Sequence, residues 1–267
     1  MENKHQMTVQ GKGEEVLLFS NGYGCDQSMW RNVTPAFVDE YKVVTFNHVG
    51  SGKSDVSFYS SEKYGSLHGY AEDVIEIIVS LGGDPVHYVG HSVSGMIGIL
   101  AANKRPELFR ELILIGPSAR YLNDYPDYIG GFEEKDLQEL FGLMEANFDE
   151  WAKYLAPIVM ENEDRPYLKQ ELVDNFTTGN KEISKEFARV TFYCDHRRDV
   201  RHVRVPVHIL QTKHDGVVPL EAAEYLVETI PDASIQIMEA TGHYPQLSQP
   251  EETIRHIQSK VKGDDPS

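Results

Sequence analysis

Cysteine, basic residues and long apolar runs are all scarce in this sequence. Only Cys25 and Cys194 occur among 267 residues, which is too few for a disulfide framework. The amino terminus, MENKHQMTVQ, lacks the apolar stretch of a secretory signal peptide. No segment approaches the roughly 18 apolar residues that a membrane-spanning helix requires. We therefore expect a cytoplasmic protein that does not interact with a membrane.

The charge balance is strongly acidic. The chain has 25 Lys and Arg against 42 Asp and Glu, which gives a formal net charge of −17. Such a surface repels nucleic acids and anionic lipids, so we expect a small neutral ligand and no nucleic-acid partner. Neither H-E-x-x-H nor C-x-x-C occurs in the chain. The sequence therefore predicts no metal ion and no cofactor.

Residues 46–55, FNHVGSGKSD, raise the question of a nucleotide site. A phosphate-binding loop has the pattern G-x-x-x-x-G-K-[ST], because glycines at both ends allow backbone amides to wrap a phosphate. Gly52, Lys53 and Ser54 match the end of this pattern, but Asn47 stands where the first glycine belongs. The match is incomplete, and its meaning depends on the rest of the chain.

Short apolar segments alternate with helical patterns along the chain. Six segments predict strands: VLLF (16–19), VVTF (43–46), VHYV (86–89), LILI (112–115), VHIL (207–210) and IQIM (235–238). Their nearly continuous apolar character is typical of a parallel sheet covered by helices on both faces. Apolar residues at helical spacing predict a helix over 67–81 that stops at Gly82 and Gly83. The predicted fold class is therefore α/β, with a mostly parallel central sheet flanked by helices.

One region interrupts this alternation. Residues 130–200 contain no convincing strand and four helical patterns, EEKDLQELFGLMEANF, DEWAKYLAPIVM, YLKQELVDNF and KEISKEFARVTF. Because structureless loops of this length are rare, the region predicts an inserted helical cap. We divide the chain accordingly into a first core segment (1–129), the cap (130–200) and a second core segment (201–267). The final residues, KGDDPS, are expected to fray.

The third predicted strand leads into YVGHSVSGM, which contains a nucleophile elbow. This motif, G-x-S-x-G, places a serine on a sharp turn between a strand and a helix, and small neighbours allow the close packing. Gly90 and Ser92 match its first half, whereas Ser94 stands in place of the second glycine and Gly95 follows. The alternative interpretation is that Ser92 is simply the N-cap of a helix.

Two further residues follow later strands in the order of a Ser-Asp-His triad. Asp215 comes after the fifth predicted strand and His243 after the sixth, at the ends where open α/β sheets collect active sites. In such a triad the histidine accepts the serine proton, and the carboxylate fixes the tautomer of the imidazole. The alternatives are a turn role for Asp215 and an exposed loop position for His243. We expect His91 to be a packed histidine, and a ligand contact by His214 stays open.

The attack of a serine on a carbonyl also requires donors for the developing oxyanion. One predicted donor is the amide of Val93, directly after the serine. The loop after the first predicted strand, FSNGYGCDQSMW, supplies the second candidate, because the amide of Tyr23 lies between two glycines. The alternative is an ordinary glycine-rich turn in which Tyr23 only packs.

Several segments together resemble the RsbQ-type α/β-hydrolases of bacteria: NGYGCDQSMW, FNHVGSGKSD, YVGHSVSGM, YIGGFEE, HDGVVP and TGHYPQLSQP. The plant karrikin and strigolactone receptors are built similarly. The resemblance covers nearly the whole chain and implies an α/β-hydrolase fold with a cap of four helices. It implies a triad of Ser92, Asp215 and His243, with oxyanion amides from Tyr23 and Val93.

The same resemblance implies a different meaning for FNHVGSGKSD. In α/β-hydrolases a G-x-G-x-S turn commonly follows the second strand, and Gly50, Gly52 and Ser54 fit it. Lys53 is then a surface residue and not a nucleotide ligand.

The resemblance also implies a ligand and a role. The implied pocket is mostly apolar and lies under the cap, and its residues are Tyr23, Phe132, Trp151, Leu155 and Phe192. The family usually has Phe at the position of Tyr23, and the alternative is that these residues are ordinary core of a helical insert. The implied enzyme is a carboxylesterase or lactonase acting on a small hydrophobic ester or lactone. RsbQ-like proteins act in stress signalling with a partner phosphatase, so the alternative function is that of a ligand-sensing signalling protein with slow hydrolysis.

Overall fold

A seven-stranded sheet lies at the centre of the computed structural model, which describes residues 2–262. Its strands are β1 (Thr8–Gln10), β2 (Val16–Ser20), β3 (Lys42–Phe46), β4 (Val86–His91), β5 (Phe109–Ile115), β6 (Val207–His214) and β7 (Ala233–Thr241). They lie in the order β1-β3-β2-β4-β5-β6-β7, and every neighbouring pair is parallel except β1 with β3. The six predicted strands are confirmed. From residue 263 onward, the tail expected to fray lies outside the described residues.

Helices surround the sheet. They are α1 (Glu2–His5), α2 (Ser61–Tyr64), α3 (Leu67–Ser80), α4 (Val93–Lys104), α5 (Glu134–Ala146), α6 (Phe148–Met160), α7 (Pro166–Thr177), α8 (Lys181–Phe192), α9 (Leu220–Thr229), α10 (Pro245–Ser248) and α11 (Pro250–Val261). The predicted end of α3 is confirmed, because the amide of Gly83 donates back to the carbonyl of Ile78 at 3.1 Å. Within residues 2–262, no helix has both the length and the apolar character to cross a membrane.

Helix α4 packs very closely against the sheet. Its residues from Val93 to Ala102 are all buried, as expected for a helix that is apolar on every side. A Cβ atom added at Gly98 would overlap the ring of Tyr88. That ring cannot easily move, because its hydroxyl donates to the backbone carbonyl of Ser94 at 2.8 Å. The small residues of α4 thus set how deeply the helix lies on the sheet.

Four helices, α5 to α8, lie between β5 and β6 in the region predicted to be a cap. Backbone and side-chain contacts join this region to the loop after β7. The amide of His243 donates to the carbonyl of Val159 at 2.8 Å, and the side chain of Asn162 donates to the carbonyl of Thr241 at 3.0 Å. The cap boundaries at residues 130 and 200 stay a prediction.

The glycine-rich stretch after β3 is a tight turn. Gly50 and Gly52 have φ angles of 96° and 53°, in the region that favours glycine. The amide of Gly50 donates to the hydroxyl of Ser54 at 2.9 Å, and Lys53 is exposed. Asn47 is buried and accepts from the amide of Gln27 at 2.8 Å. The residue that breaks the phosphate-loop pattern therefore joins this turn to the loop after β2.

Gly98→Ala should lower the free energy of unfolding by about 1–3 kcal/mol, because the new methyl group meets the fixed ring of Tyr88. Gly142→Ala in α5 is the matched control, since among the described residues no heavy atom outside its own helix backbone and its chain neighbours lies within 4 Å of the added Cβ. That change should stabilise the protein by about 0.5–1 kcal/mol, as alanine does in exposed helices. Urea unfolding of both variants measures the difference. Equal effects would contradict the packing role of Gly98.

Candidate active site

Ser92 lies on the sharp turn between β4 and α4. Its backbone has φ 56° and ψ −124°, a conformation that non-glycine residues rarely adopt. The turn is held by hydrogen bonds from the Ser92 amide to the carbonyl of Ile115 and from the Gly95 amide to the carbonyl of Ser92, both 2.8 Å long. Although Ser92 occupies the N-cap position of α4, its side chain makes no capping hydrogen bond. Ser92 is thus the N-cap residue by position, but its hydroxyl does not cap the helix and is available for another partner.

The structure brings Ser92, His243 and Asp215 together. Nε2 of His243 lies 2.8 Å from Oγ of Ser92, and its Nδ1 lies 2.7 Å from Oδ2 of Asp215. The other carboxylate oxygen of Asp215 accepts from the amides of Val217 and Val218 at 2.8 and 3.0 Å. Burial alone would raise the pKa of Asp215, but His243 and these amides outweigh burial and lower that pKa. An ionised Asp215 accepts a hydrogen bond from Nδ1 of His243, so in the neutral ring the lone pair of Nε2 faces the serine hydroxyl.

His91 and His214, the two other histidines considered from the sequence, lie in different environments. His91 is a packed histidine, as expected, and its Nε2 donates to the carbonyl of His243 at 2.7 Å. Burial lowers the pKa of His91 to about 3, so its ring is neutral near pH 7. The side chain of His214 is exposed, and its carbonyl accepts from the amide of Gly242 at 2.8 Å. His91 therefore supports the loop that carries His243, whereas the side chain of His214 lies at the surface.

The loop after β2 passes directly beside Ser92. A Cβ atom added at Gly22 would lie 2.5 Å from Nδ1 of His91 and 3.2 Å from Cβ of Ser92. Only glycine permits so close an approach. Of the two residues predicted to supply oxyanion amides, Val93 follows Ser92 directly in the chain, and Tyr23 follows Gly22 in this loop.

Tyr23 is surrounded by aromatic side chains of α6, α7 and α8. Its ring centroid lies between 5.7 and 6.3 Å from those of Trp151, Phe176, Phe187 and Phe192. Its hydroxyl lies 3.1 Å from Oγ of Ser184 in α8, and the residue is only 5% exposed. One side chain of the loop after β2 thus connects the sheet side of the molecule to helices α6, α7 and α8 of the predicted cap.

The remaining predicted pocket residues extend this aromatic cluster. The ring of Phe132 lies 5.7 Å from that of Phe192. Phe132 and Leu155 also line an open cavity of about 430 Å³ between α5 and α6, which reaches Gly216 beside Asp215. Among the described residues that line this cavity, Ser92 is not included. The structure therefore groups Tyr23, Trp151, Phe192 and Phe132 in one aromatic cluster, while Phe132 and Leu155 line the neighbouring cavity.

Sequence reasoning missed Tyr121. Its hydroxyl lies 3.4 Å from Oγ of Ser92, and its ring centroid lies 5.2 Å from that of Phe192. Burial raises the pKa of Tyr121, so the phenol stays protonated. The residue follows β5 by a few positions, so the rule that led to Asp215 and His243 could also have found it. Phe176 and Phe187 were missed as well. The helical patterns that contain them indicate two apolar side chains but not which side chains these rings contact.

This arrangement defines a class of protein. A serine in a strained strand-to-helix turn, with an acid and a histidine after later strands of the same parallel sheet, is the arrangement of the α/β-hydrolases. Comparison with known families agrees, since a family model described as alpha/beta hydrolase fold matches residues 15–250. The chain belongs to this family.

Similar proteins include plant receptors and bacterial hydrolases. The chain is 38% identical over 266 residues to Karrikin insensitive 2 receptor CA of Petunia hybrida, with 98% of each chain covered. It is 39% identical over 243 residues to Strigolactone esterase RMS3 of Pisum sativum, with 91% of each covered. The solved structure of olei00960, a hydrolase from Oleispira antarctica, has a TM-score of 0.96 at 35% identity, covering 98% of this chain and 96% of that one. The fold and the resemblance to this receptor group are confirmed.

Ser184→Ala should destabilise the protein more than Tyr23→Phe, although both remove the same hydrogen bond. Tyr23→Phe removes the buried hydroxyl itself and should cost about 0.5–1.5 kcal/mol, whereas Ser184→Ala leaves that hydroxyl buried without a partner and should cost about 1–3 kcal/mol. Urea unfolding checks this order, and the double variant should resemble Tyr23→Phe. Equal losses in the single variants would contradict the isolation of the Tyr23 hydroxyl from water.

Proposed function

We propose that this protein is a serine hydrolase that cleaves a small, neutral, hydrophobic ester or lactone through an acyl-enzyme. The observation that carries the proposal is the unbroken hydrogen-bonded series from Ser92 through His243 to Asp215, at 2.8 and 2.7 Å. The aromatic surroundings of Tyr23 favour a hydrophobic ligand. The net charge of −17 favours a neutral ligand over an anionic one.

The proposed acylation step uses the hydrogen bonds that join Ser92, His243 and Asp215. Nε2 of His243 accepts the proton of Ser92 as Oγ attacks the carbonyl carbon, and the carbonyl π electrons move to oxygen. The amides of Val93 and Tyr23 donate to this oxyanion, and Asp215 stabilises the imidazolium of His243. When the carbon–oxygen bond to the leaving group breaks, His243 returns the proton to the departing alkoxide. The product is an acyl ester on Ser92 and a free alcohol.

Deacylation repeats the sequence with water. His243 is neutral again and accepts a proton from a water molecule, whose oxygen attacks the acyl carbon. The collapse of the second tetrahedral intermediate breaks the bond to Oγ of Ser92, which takes the proton back from His243. A carboxylic acid leaves. With a lactone, the alcohol of the first step stays attached to the acyl group and leaves with it.

Ser92→Ala should abolish acyl-enzyme formation and reduce the hydrolysis of p-nitrophenyl acetate by at least about 10³-fold. Asp215→Asn should lower kcat by about 10⁴-fold, because an amide donor facing Nδ1 forces His243 into the wrong tautomer. Intact-protein mass spectrometry checks the acyl adduct on Ser92, and steady-state kinetics checks the rates. The matched control is Ser57→Ala, which replaces an exposed serine. It should leave both the acyl adduct and the rates unchanged. Wild-type turnover by Ser92→Ala would contradict the proposal.

A second candidate function is the sensing of a small ligand for signalling. It is favoured by the similarity to a karrikin receptor, 38% identical with 98% of each chain covered. In this case hydrolysis is slow, and a protein of the phosphatase class is the partner that the RsbQ resemblance implies. A pull-down from the source cell with and without ligand separates the two functions. Ligand-dependent recovery of a partner supports signalling, and fast turnover of a native ester with no partner contradicts it.

A further inference from the structure

Behind the loop that carries Tyr23 lies a buried polar cluster made of Ser20, Ser94, His48 and the backbone carbonyl of Asn21. Oγ of Ser94 donates to the Asn21 carbonyl at 2.6 Å, and Oγ of Ser20 donates to Oγ of Ser94 at 2.9 Å. Nε2 of His48 lies 2.9 Å from Oγ of Ser94 and 3.2 Å from the Asn21 carbonyl. None of these residues is more than 1% exposed. The cluster is therefore closed to solvent.

The Asn21 carbonyl can only accept, and this gives one consistent direction for the hydrogen bonds of the cluster. The single hydroxyl proton of Ser94 goes to the Asn21 carbonyl, so its oxygen accepts from both Ser20 and His48. His48 therefore carries a proton on Nε2 and shares it between Ser94 and Asn21. Burial lowers the pKa of His48 to about 4, so the ring is neutral near pH 7. The Asn21 carbonyl thus accepts from two donors and is fixed in direction.

Ser94 joins the two chain segments that must meet at the reacting carbonyl. Its backbone belongs to the first turn of α4, directly after Val93. Its side chain holds the carbonyl of Asn21, two residues before Tyr23. On the opposite side the same loop lies close to Ser92, because a Cβ atom added at Gly22 would be 3.2 Å from Cβ of Ser92. A shift of the Asn21 carbonyl would therefore tilt the next peptide and move the amide of Tyr23.

We propose that Ser94, supported by His48, is a positioning residue that fixes the spacing between the amides of Val93 and Tyr23. The inference rests on the proposed serine-hydrolase function, because these amides matter only if an oxyanion forms. A glycine, which the general elbow motif has at this place, offers no side chain for the link. The serine at position 94 then has a positioning role in the oxyanion site and is not merely a small substitute for the motif glycine.

Ser94→Ala and Ser94→Gly should each lower kcat for p-nitrophenyl acetate about 10- to 100-fold, because displaced donors act on the transition state, and leave KM unchanged. Affinity for a trifluoromethyl ketone, which forms a tetrahedral oxyanion adduct, should fall by the same factor as kcat/KM. The matched control is Thr253→Val, which also removes a fully buried hydroxyl that donates to a backbone carbonyl, at 3.1 Å. It should lose stability in urea unfolding without losing kcat.

The outcomes distinguish failure of the positioning role of Ser94 from failure of the proposed serine-hydrolase function. If Ser92→Ala lacks hydrolysis but Ser94→Gly keeps the wild-type kcat, the positioning role is overturned and the triad stands. If Ser92→Ala keeps hydrolysis, the proposed function itself fails. A loss confined to KM, or an equal kcat loss in Thr253→Val, would also overturn the positioning role. If Ser94→Ala does not fold, Ser94→Gly, which introduces the usual elbow residue, carries the test alone.

Discussion

The left-handed backbone of Ser92 is the constraint on which the site depends, because it turns the serine hydroxyl out of the sheet toward the loops. Such a conformation costs about 1–3 kcal/mol and persists only where the surroundings over-determine it. Two backbone hydrogen bonds, to Ile115 and from Gly95, hold the turn on both sides. Helix α4 packs closely on the sheet, with Gly98 against the ring of Tyr88, so the helix cannot shift to relieve the strain at Ser92. Packing some distance from the site therefore sustains the geometry at its centre.

The buried histidines around Ser92 differ in their hydrogen-bond partners. His48 and His91 lack a hydrogen bond to a carboxylate among the described residues, and burial lowers their pKa values to about 4 and about 3. His243 alone of the three hydrogen-bonds a carboxylate, that of Asp215. Two rings thus serve as neutral, fixed donors to backbone or serine oxygens, and one faces the serine with a basic nitrogen. Similar residues in one region are differentiated by their partners and not by their burial.

Local patterns in the sequence were sufficient for most of the fold. Six strands, the helix over 67–81 and the order of Ser92, Asp215 and His243 all follow from runs of a few residues and their succession. Strand β1 was missed because it has three residues, contains one apolar residue, Val9, and pairs only at the sheet edge.

Other features of the site depend on partners that are distant in the chain. The hydrogen bonds of Ser94 to His48 and to Asn21 span 46 and 73 residues. The sequence showed Ser94 only as a small residue in place of the second elbow glycine, because its hydrogen-bond partners are defined by the folded loops. Tyr121 was missed although a rule for strand ends would have included it. The pocket residues could be predicted as a group by resemblance, but their division between the aromatic cluster and the neighbouring cavity depends on how α5 and α6 pack.

Tyr23 has a consequence for how such a protein can diverge. Its side chain packs among the aromatic residues of α6, α7 and α8, while its own amide lies in the loop beside Ser92. If the protein has the proposed hydrolase function, residues that select a ligand and residues that set a rate are not separate groups. A substitution in the predicted cap that admits a larger ligand would then also shift the ring of Tyr23, and with it the loop. Ligand range and turnover should consequently change together over the history of this chain, so a relative with a new ligand would also carry adjustments on the core side.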